Sequence, residues 1–271
     1  MNRKFHFTKA TQKRLTDYVR EHAVPMEKPH AEITLVSGCL THIGKVRPTN
    51  QDALVVDAAL RLYGVADGMG GHKGGETASA GARDAVLKAL KEEKPSLEAM
   101  RRAVETANAE LFAQQAADET LSGMGTTLSM IWLSDTFVYI AHVGDSRVYV
   151  LRDGKLQQMT DDHSMVAELV RLGQLTEAEA EKHPFRNVIT RAVGTEEGIR
   201  VDLAVEERRP GDTWLVCSDG LHGLVSDEEM EQTIKANAPE KAAELLLNAA
   251  LDAGGRDNIS VIVLHDEEGA R

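Results

Sequence analysis

Five aspartates form the densest chemical pattern in this sequence. Asp52, Asp67, Asp145, Asp219 and Asp257 each abut a short apolar run of strand type, and Asp67 and Asp219 are each followed by glycine. An apolar run that halts on Asp-Gly leaves a carboxylate beside bare backbone carbonyls, because glycine tolerates unusual backbone angles and lets a ligand approach closely. That is an oxygen-rich corner suited to a hard cation. If the five converge, neighbouring carboxylates about 4 Å apart repel by a few kcal/mol per pair at an effective dielectric of about 20, so such a cluster needs cations among its members. With no His-x-x-x-His pair and no cysteine array, oxygen ligation favours Mg²⁺ or Mn²⁺ over Zn²⁺. Two such ions bridged by a carboxylate lower the pKa of a water held between them, for in-line attack at neutral pH. Arg47 offers a guanidinium fork matched to two phosphate oxygens, the alternative being an ordinary solvated arginine.

Other chemistries fail on spacing. Gly68 and Gly70 fit the first two places of a dinucleotide fingerprint, but Lys73 occupies the third, and Gly74-Gly75-Glu76 lacks the Lys-Ser/Thr of a phosphate loop. The two cysteines, Cys39 and Cys217, give neither a disulfide framework nor a zinc pattern. Neither is followed six residues later by the arginine of a cysteine-nucleophile phosphatase, since Lys45 and Gly223 stand there. Cys217 reads as a small apolar residue closing a strand.

Composition narrows the partners. With 43 acidic against 31 basic residues, the 271-residue chain carries a formal charge of -12, which repels nucleic acid and anionic membranes. The apolar runs fall short of the 18 or so residues of a membrane span, and the polar stretch 8–20 after the basic start provides no signal-peptide core. A cytoplasmic protein is expected.

The elements that must position these aspartates follow from the hydrophobic periodicity. Residues 1–32 read as an appended arm, with a short helix at 11–22 carried by Leu15, Tyr18 and Val19 and stopped by Pro25 and Pro29, the alternative being a partly disordered tail. The main domain is expected over 33–265, with 266–271 a polar tail. Strands are predicted at 33–36, 54–56, 62–66, 128–133, 137–143, 147–151, 155–159, 199–203, 214–217 and 259–264, with Asp153-Gly154 as a hairpin turn. Helices are predicted at 76–91, 97–117 and 239–252, with small residues on faces that pack against a sheet. Asp52 opens the strand before that of Asp67 and could face it. Residues 160–193, with helical fragments but no continuous apolar face, read as a surface flap bordering a site.

Six segments in order carry a family resemblance: Arg47-Pro-Thr-Asn-Gln-Asp52, Val65-Ala-Asp-Gly-Met-Gly-Gly-His72, Gly125-Thr-Thr127, Ala141-His-Val-Gly-Asp-Ser-Arg147, Cys217-Ser-Asp-Gly-Leu221 and Asp257-Asn-Ile-Ser260. Together they resemble the successive motifs of metal-dependent serine/threonine phosphatases of the protein phosphatase 2C type (PPM), bacterial branch. The resemblance implies an α+β fold, with two central antiparallel sheets sandwiched between helical layers. It implies two core Mn²⁺ or Mg²⁺ ions, with Asp67 bridging them, the Gly68 carbonyl, Asp219 and Asp257 completing their shells, and Asp52 bound directly or through water. Asp145, with Asp219, would match a third, weaker ion, and Arg47 would hold the substrate phosphate. Animal members place a histidine, the proposed general acid, directly after Asp-Gly, where this chain has Met69. His72 is the candidate substitute, an exposed loop histidine being the alternative. The implied substrates are phosphoserine and phosphothreonine proteins, with a cognate serine/threonine kinase as a natural partner and the chain acting as a monomer. A pseudoenzyme serving as a binding module is the competing reading.

Overall fold

The computed structural model describes residues 33–180 and 182–267, without the side chains of 71–73. The arm expected at 1–32 lies outside the described residues. Eleven strands are described: β1 Leu35–His42, β2 Asp52–Asp57, β3 Leu62–Met69, β4 Gly125–Thr126, β5 Leu128–Leu133, β6 Phe137–Val143, β7 Arg147–Arg152, β8 Lys155–Gln158, β9 Asp202–Glu207, β10 Thr213–Cys217 and β11 Ile259–Asp266. The helices are α1 Gly71–Leu90, α2 Leu97–Ala117, α3 Met165–Arg171, α4 Glu177–Ala180, α5 Asp219–His222, α6 Asp227–Ala236 and α7 Pro239–Asp252. One sheet runs β1-β11-β10-β7-β8 and the other β2-β3-β5-β6-β9, with β4 added against β3. Their pairings are antiparallel throughout.

Period-two alternation sorts the core into three layers. Strand β5 is apolar on both faces: Leu128, Met130 and Trp132 meet α1 and α2, while Ile131 and Leu133 turn toward the other sheet. In β10, Trp214 and Val216 fill the space between the sheets while Leu215 and Cys217 face α6 and α7. Cys217 is fully buried and its thiol is pushed up to about 12 by desolvation, so it is a packing residue and no nucleophile. A strand covered on both faces reads as a continuous apolar run, which is why 62–66 and 128–133 were legible.

Some boundaries move. Strand β9 begins at Asp202 rather than at 199, because β6 offers its last partner at His142 before bending into Gly144-Asp145. Ile199 and Val201 pack on the helical layer without a ladder. Helix α1 begins at Gly71 rather than at 76, so His72 lies in its first turn and not in a loop. The glycines that weaken the helix signal there serve close approach: a Cβ at Gly75 would lie 2.7 Å from the Gln51 side chain. Strand β1 runs on to His42, its pattern broken at Gly38, where a Cβ would sit 2.5 Å from the Pro239 carbonyl of α7. Asp266, placed in the polar tail by the sequence, is the buried last residue of β11, ion-paired to Arg208.

Candidate metal centre

A cleft of about 420 Å³ is lined by Arg47, Asp67, Gly68, Asp145, Asp219 and Asp257, among others, from both sheets and their loops. Strand pairing sets Asp52 directly opposite Asp67 in register. Asp67 lies within β3, not at its tip, because β4 extends the ladder past it: Gly68 and Met69 pair with Thr126 and Gly125. Its main chain is held by Thr126 and Thr127, whose hydroxyl and amide groups close on its carbonyl and amide at 2.8–2.9 Å. Asp219 follows β10 and opens α5, a helical turn the sequence did not announce. Asp257 precedes β11, and Asp145 sits in the turn between β6 and β7.

Both Asp-Gly pairs owe their glycine to crowding. A Cβ at Gly68 would stand 2.0 Å from the Gly75 carbonyl, and one at Gly220 would stand 1.9 Å from the Asn258 carbonyl. Asn258 is the hub of this corner. Its side chain accepts from the Gln51 amide at 2.7 Å and donates to the Ile43 and Thr49 carbonyls at 2.9 Å, joining the Arg47 loop to β11. The sequence includes Asn258 in the Asp257-Asn-Ile-Ser260 segment but gives no sign of this role. Asn187 and Ile189 of the flap also line the cleft.

Electrostatics bind the five carboxyls into one unit. Burial, and then the charges of Asp52, Asp219, Asp145 and Asp257, hold Asp67 well above the ordinary carboxylate range. Burial and then Asp145, Asp257 and Asp52 raise Asp219 to about 8. Asp52 is raised to about 6 by burial, against the opposing hydrogen bonds of Ser260 and Ser218. Asp145 is raised to about 6, by burial first and then by Asp162 of the flap.

Whether divalent ions fit can be tested on the oxygens themselves. The Oδ1 atoms of Asp52, Asp145 and Asp219 are buried and lack any hydrogen-bond partner. Buried acceptors without donors are costly, and a cation is the group that satisfies them without donating a proton. Among the described residues, no three Asp, Glu, His or Cys side chains stand together at the spacing of one ion's ligands. An ion here would take carboxylates singly or in pairs and fill its shell with carbonyl oxygen and water, the habit of Mg²⁺ and Mn²⁺. The residues therefore fit such ions. Arg47 is at the same rim, its Nη2 donating to Asp257 Oδ2 at 2.6 Å, so it is engaged rather than freely solvated. Nothing is described of the His72 side chain.

The family model for protein phosphatase 2C matches residues 41–252. Serine/threonine phosphatase stp of Listeria monocytogenes is 39% identical over 207 residues, covering 74% of this chain and 82% of its own length. PstP of Mycobacterium tuberculosis is 41% identical over 223 residues; these cover 81% of this chain but 43% of that protein, which is more than twice as long as the matched part. A solved structure of the PstP catalytic domain in complex with two manganese ions superposes with a TM-score of 0.80 at 36% identity, covering 87% of this chain and all of that one. With the family model spanning most of the chain, and a bacterial phosphatase matched over most of both lengths, this chain belongs to the protein phosphatase 2C family.

Proposed function

We propose that this protein is a metal-dependent phosphatase that hydrolyses phosphoserine and phosphothreonine in proteins. The observation that carries the reading is the convergence of Asp52, Asp67, Asp145, Asp219 and Asp257, from both sheets, with three buried carboxylate oxygens lacking a donor. The manganese pair in the PstP structure supports Mn²⁺ as the metal, with Mg²⁺ the alternative. When bound, the divalent ions supply charge neutralisation and an acidified water.

The chain's own residues do the rest. Asp67 would hold both core ions, with Asp219, Asp257 and the Gly68 carbonyl as further ligands and Asp52 bound directly or through water. Asp145, with Asp219, is suited to a third ion. Arg47 would grip the phosphate: it lines the cleft, and with Nη2 committed to Asp257 its remaining N–H groups are left to meet phosphate oxygens. His72, in the first turn of α1 five residues beyond Asp67, is proposed as proton donor to the leaving alkoxide. The catalytic domain is assigned to 33–265 plus the buried Asp266, and 1–32 to an accessory arm. A cytoplasmic monomer opposing a serine/threonine kinase is the setting we propose. Among the described residues no helix is long and apolar enough to cross a membrane.

Hydrolysis of a small aryl phosphate with Mn²⁺, halted by EDTA, tests the reading. A metal-replete preparation that binds phosphopeptides without cleaving them would instead identify a binding module.

A further inference from the structure

Asp52 is buried, and its two oxygens live in different surroundings. Oδ2 lies 2.8 Å from Ser218 Oγ and 2.7 Å from Ser260 Oγ. Oδ1 is buried without a partner. The two serines belong to the opposite sheet from Asp52, at the end of β10 and on β11.

Counting protons gives this arrangement a direction. Ser260 Oγ is also 2.9 Å from Thr41 Oγ1, its cross-strand partner on β1. A hydroxyl has one proton, and a carboxylate has none to give, so Ser260 donates to Asp52. Thr41 must therefore supply the proton between the two hydroxyls. Thr41 Oγ1 in turn accepts from Asn50 Nδ2 at 2.9 Å. The Asn50 amide is oriented by its other end, since Oδ1 accepts the backbone N–H of Asp52 at 3.2 Å. The bonds close on themselves: Asp52 N–H to Asn50, Asn50 to Thr41, Thr41 to Ser260, Ser260 to Asp52 Oδ2. Every donor in this ring points the same way round, so each bond polarises the next. Ser218 adds the second donor to Oδ2 while its own oxygen accepts the Ser260 amide at 3.0 Å.

We propose that this ring is a positioning device for metal capture, in which Thr41 and Ser260 saturate one oxygen of Asp52 and so reserve the other for a divalent cation. The proposal rests on the reading of Asp52 as a metal ligand. Thr41 and Ser260 touch no substrate. They act through Asp52, by fixing its rotamer and by choosing which lone pairs remain free, as outer partners of ligating side chains do elsewhere.

Titration calorimetry of Mn²⁺ into the metal-stripped full chain tests it, alongside melting curves of each metal-free variant. Ser260→Ala is expected to weaken one Mn²⁺ step about tenfold. Thr41→Val keeps the shape at an exposed position and removes the proton donor; it is expected to weaken the same step about threefold, while Thr41→Ser restores it. Should Ser260→Ala fail to fold, the Thr41 pair decides alone. Unchanged Mn²⁺ affinity in Thr41→Val and Ser260→Ala, or equal weakening in Thr41→Val and Thr41→Ser, overturns the ring and leaves the metal centre standing. A wild-type chain that takes up no Mn²⁺ overturns the centre itself, and the ring with it.

Discussion

The floor of the cleft and its flap are built on opposite principles. On the floor, Asp67 is fixed by strand register and by two threonines on its main chain, with Asp52 paired directly across from it. The acidic groups are crowded there despite their mutual repulsion. The flap, 160–193, contains two short helices and holds Leu172 and Phe185 exposed outside them, 70% and 55% accessible. Among the described residues it is anchored near its ends: at one, Arg147 grips Asp162 with two parallel bonds of 2.8–2.9 Å and His163 meets Gly144; at the other, Arg191 donates to Asp202 and Val193 bridges to Thr126, while Ser164 bridges to Ile189 across the flap's own base. The region that places the charges is put on sheets, whereas the flap, which we propose meets the protein substrate, is built from short helices and turns.

The comparison can be broken most forcefully on the floor. Asp219→Asn keeps the shape but removes the charge of a proposed metal ligand, and is expected to cost about 10³-fold in Mn²⁺-dependent kcat on a small aryl phosphate. Loss of less than about tenfold would mean that the floor does not carry the chemistry. Next comes the flap's anchor. Arg147→Ala leaves Asp162 poorly paired at a site where both side chains are largely buried, and should destabilise the protein by about 3 kcal/mol in urea denaturation. Then comes the rim: Arg47→Ala removes an exposed side chain, so stability should stay within about 0.5 kcal/mol while kcat/KM falls about tenfold or more.

Titration sharpens the contrast further. Asp219 moves from 3.8 to about 8, and Asp52 and Asp145 from 3.8 to about 6. A carboxyl whose folded pKa lies above its unfolded value stabilises the fold only while it is protonated. That contribution is present below the unfolded pKa and is lost as pH rises through the folded one. The metal-free protein should therefore lose melting temperature between about pH 4 and pH 8, and the increment from Mn²⁺ should widen across that window. In the metal-free state at pH 8, Asp219→Asn should melt about 2–4 °C above wild type. The substitution that destroys activity would thus stabilise the empty fold.

Much of this was legible in the residues. The five aspartates, the Asp153-Gly154 hairpin and the doubly covered strands leave local signatures, because each depends on a short run of side chains. What escaped depends on distant partners. No local pattern announces that α1 starts at Gly71, since its glycines are there to let Met124, Gln51 and Gly68 come close. Nor does a sequence reveal that Asp219 begins a helical turn, or that Ser260, 208 positions from Asp52, joins its hydrogen-bond ring with Thr41 through the pairing of β1 with β11. The commitment of Arg47 to Asp257, 210 positions away, is equally a product of folding.

The smallest expected effect bears on the flap's own surface. Phe185 is 55% accessible, and its ring neighbours only His183 among the described aromatic contacts. Phe185→Ser therefore removes little buried area, and should leave stability within about 0.5 kcal/mol. Because the floor does not depend on it, kcat on a small aryl phosphate and Mn²⁺ affinity should both stay within about twofold of wild type. A phosphopeptide is long enough to reach past Asn187 and Ile189 onto the flap, so its KM should rise about threefold, the scale of one partly exposed aromatic contact. If aryl phosphate and phosphopeptide kinetics move together, the flap acts on the floor itself, and the division of labour between the two regions fails.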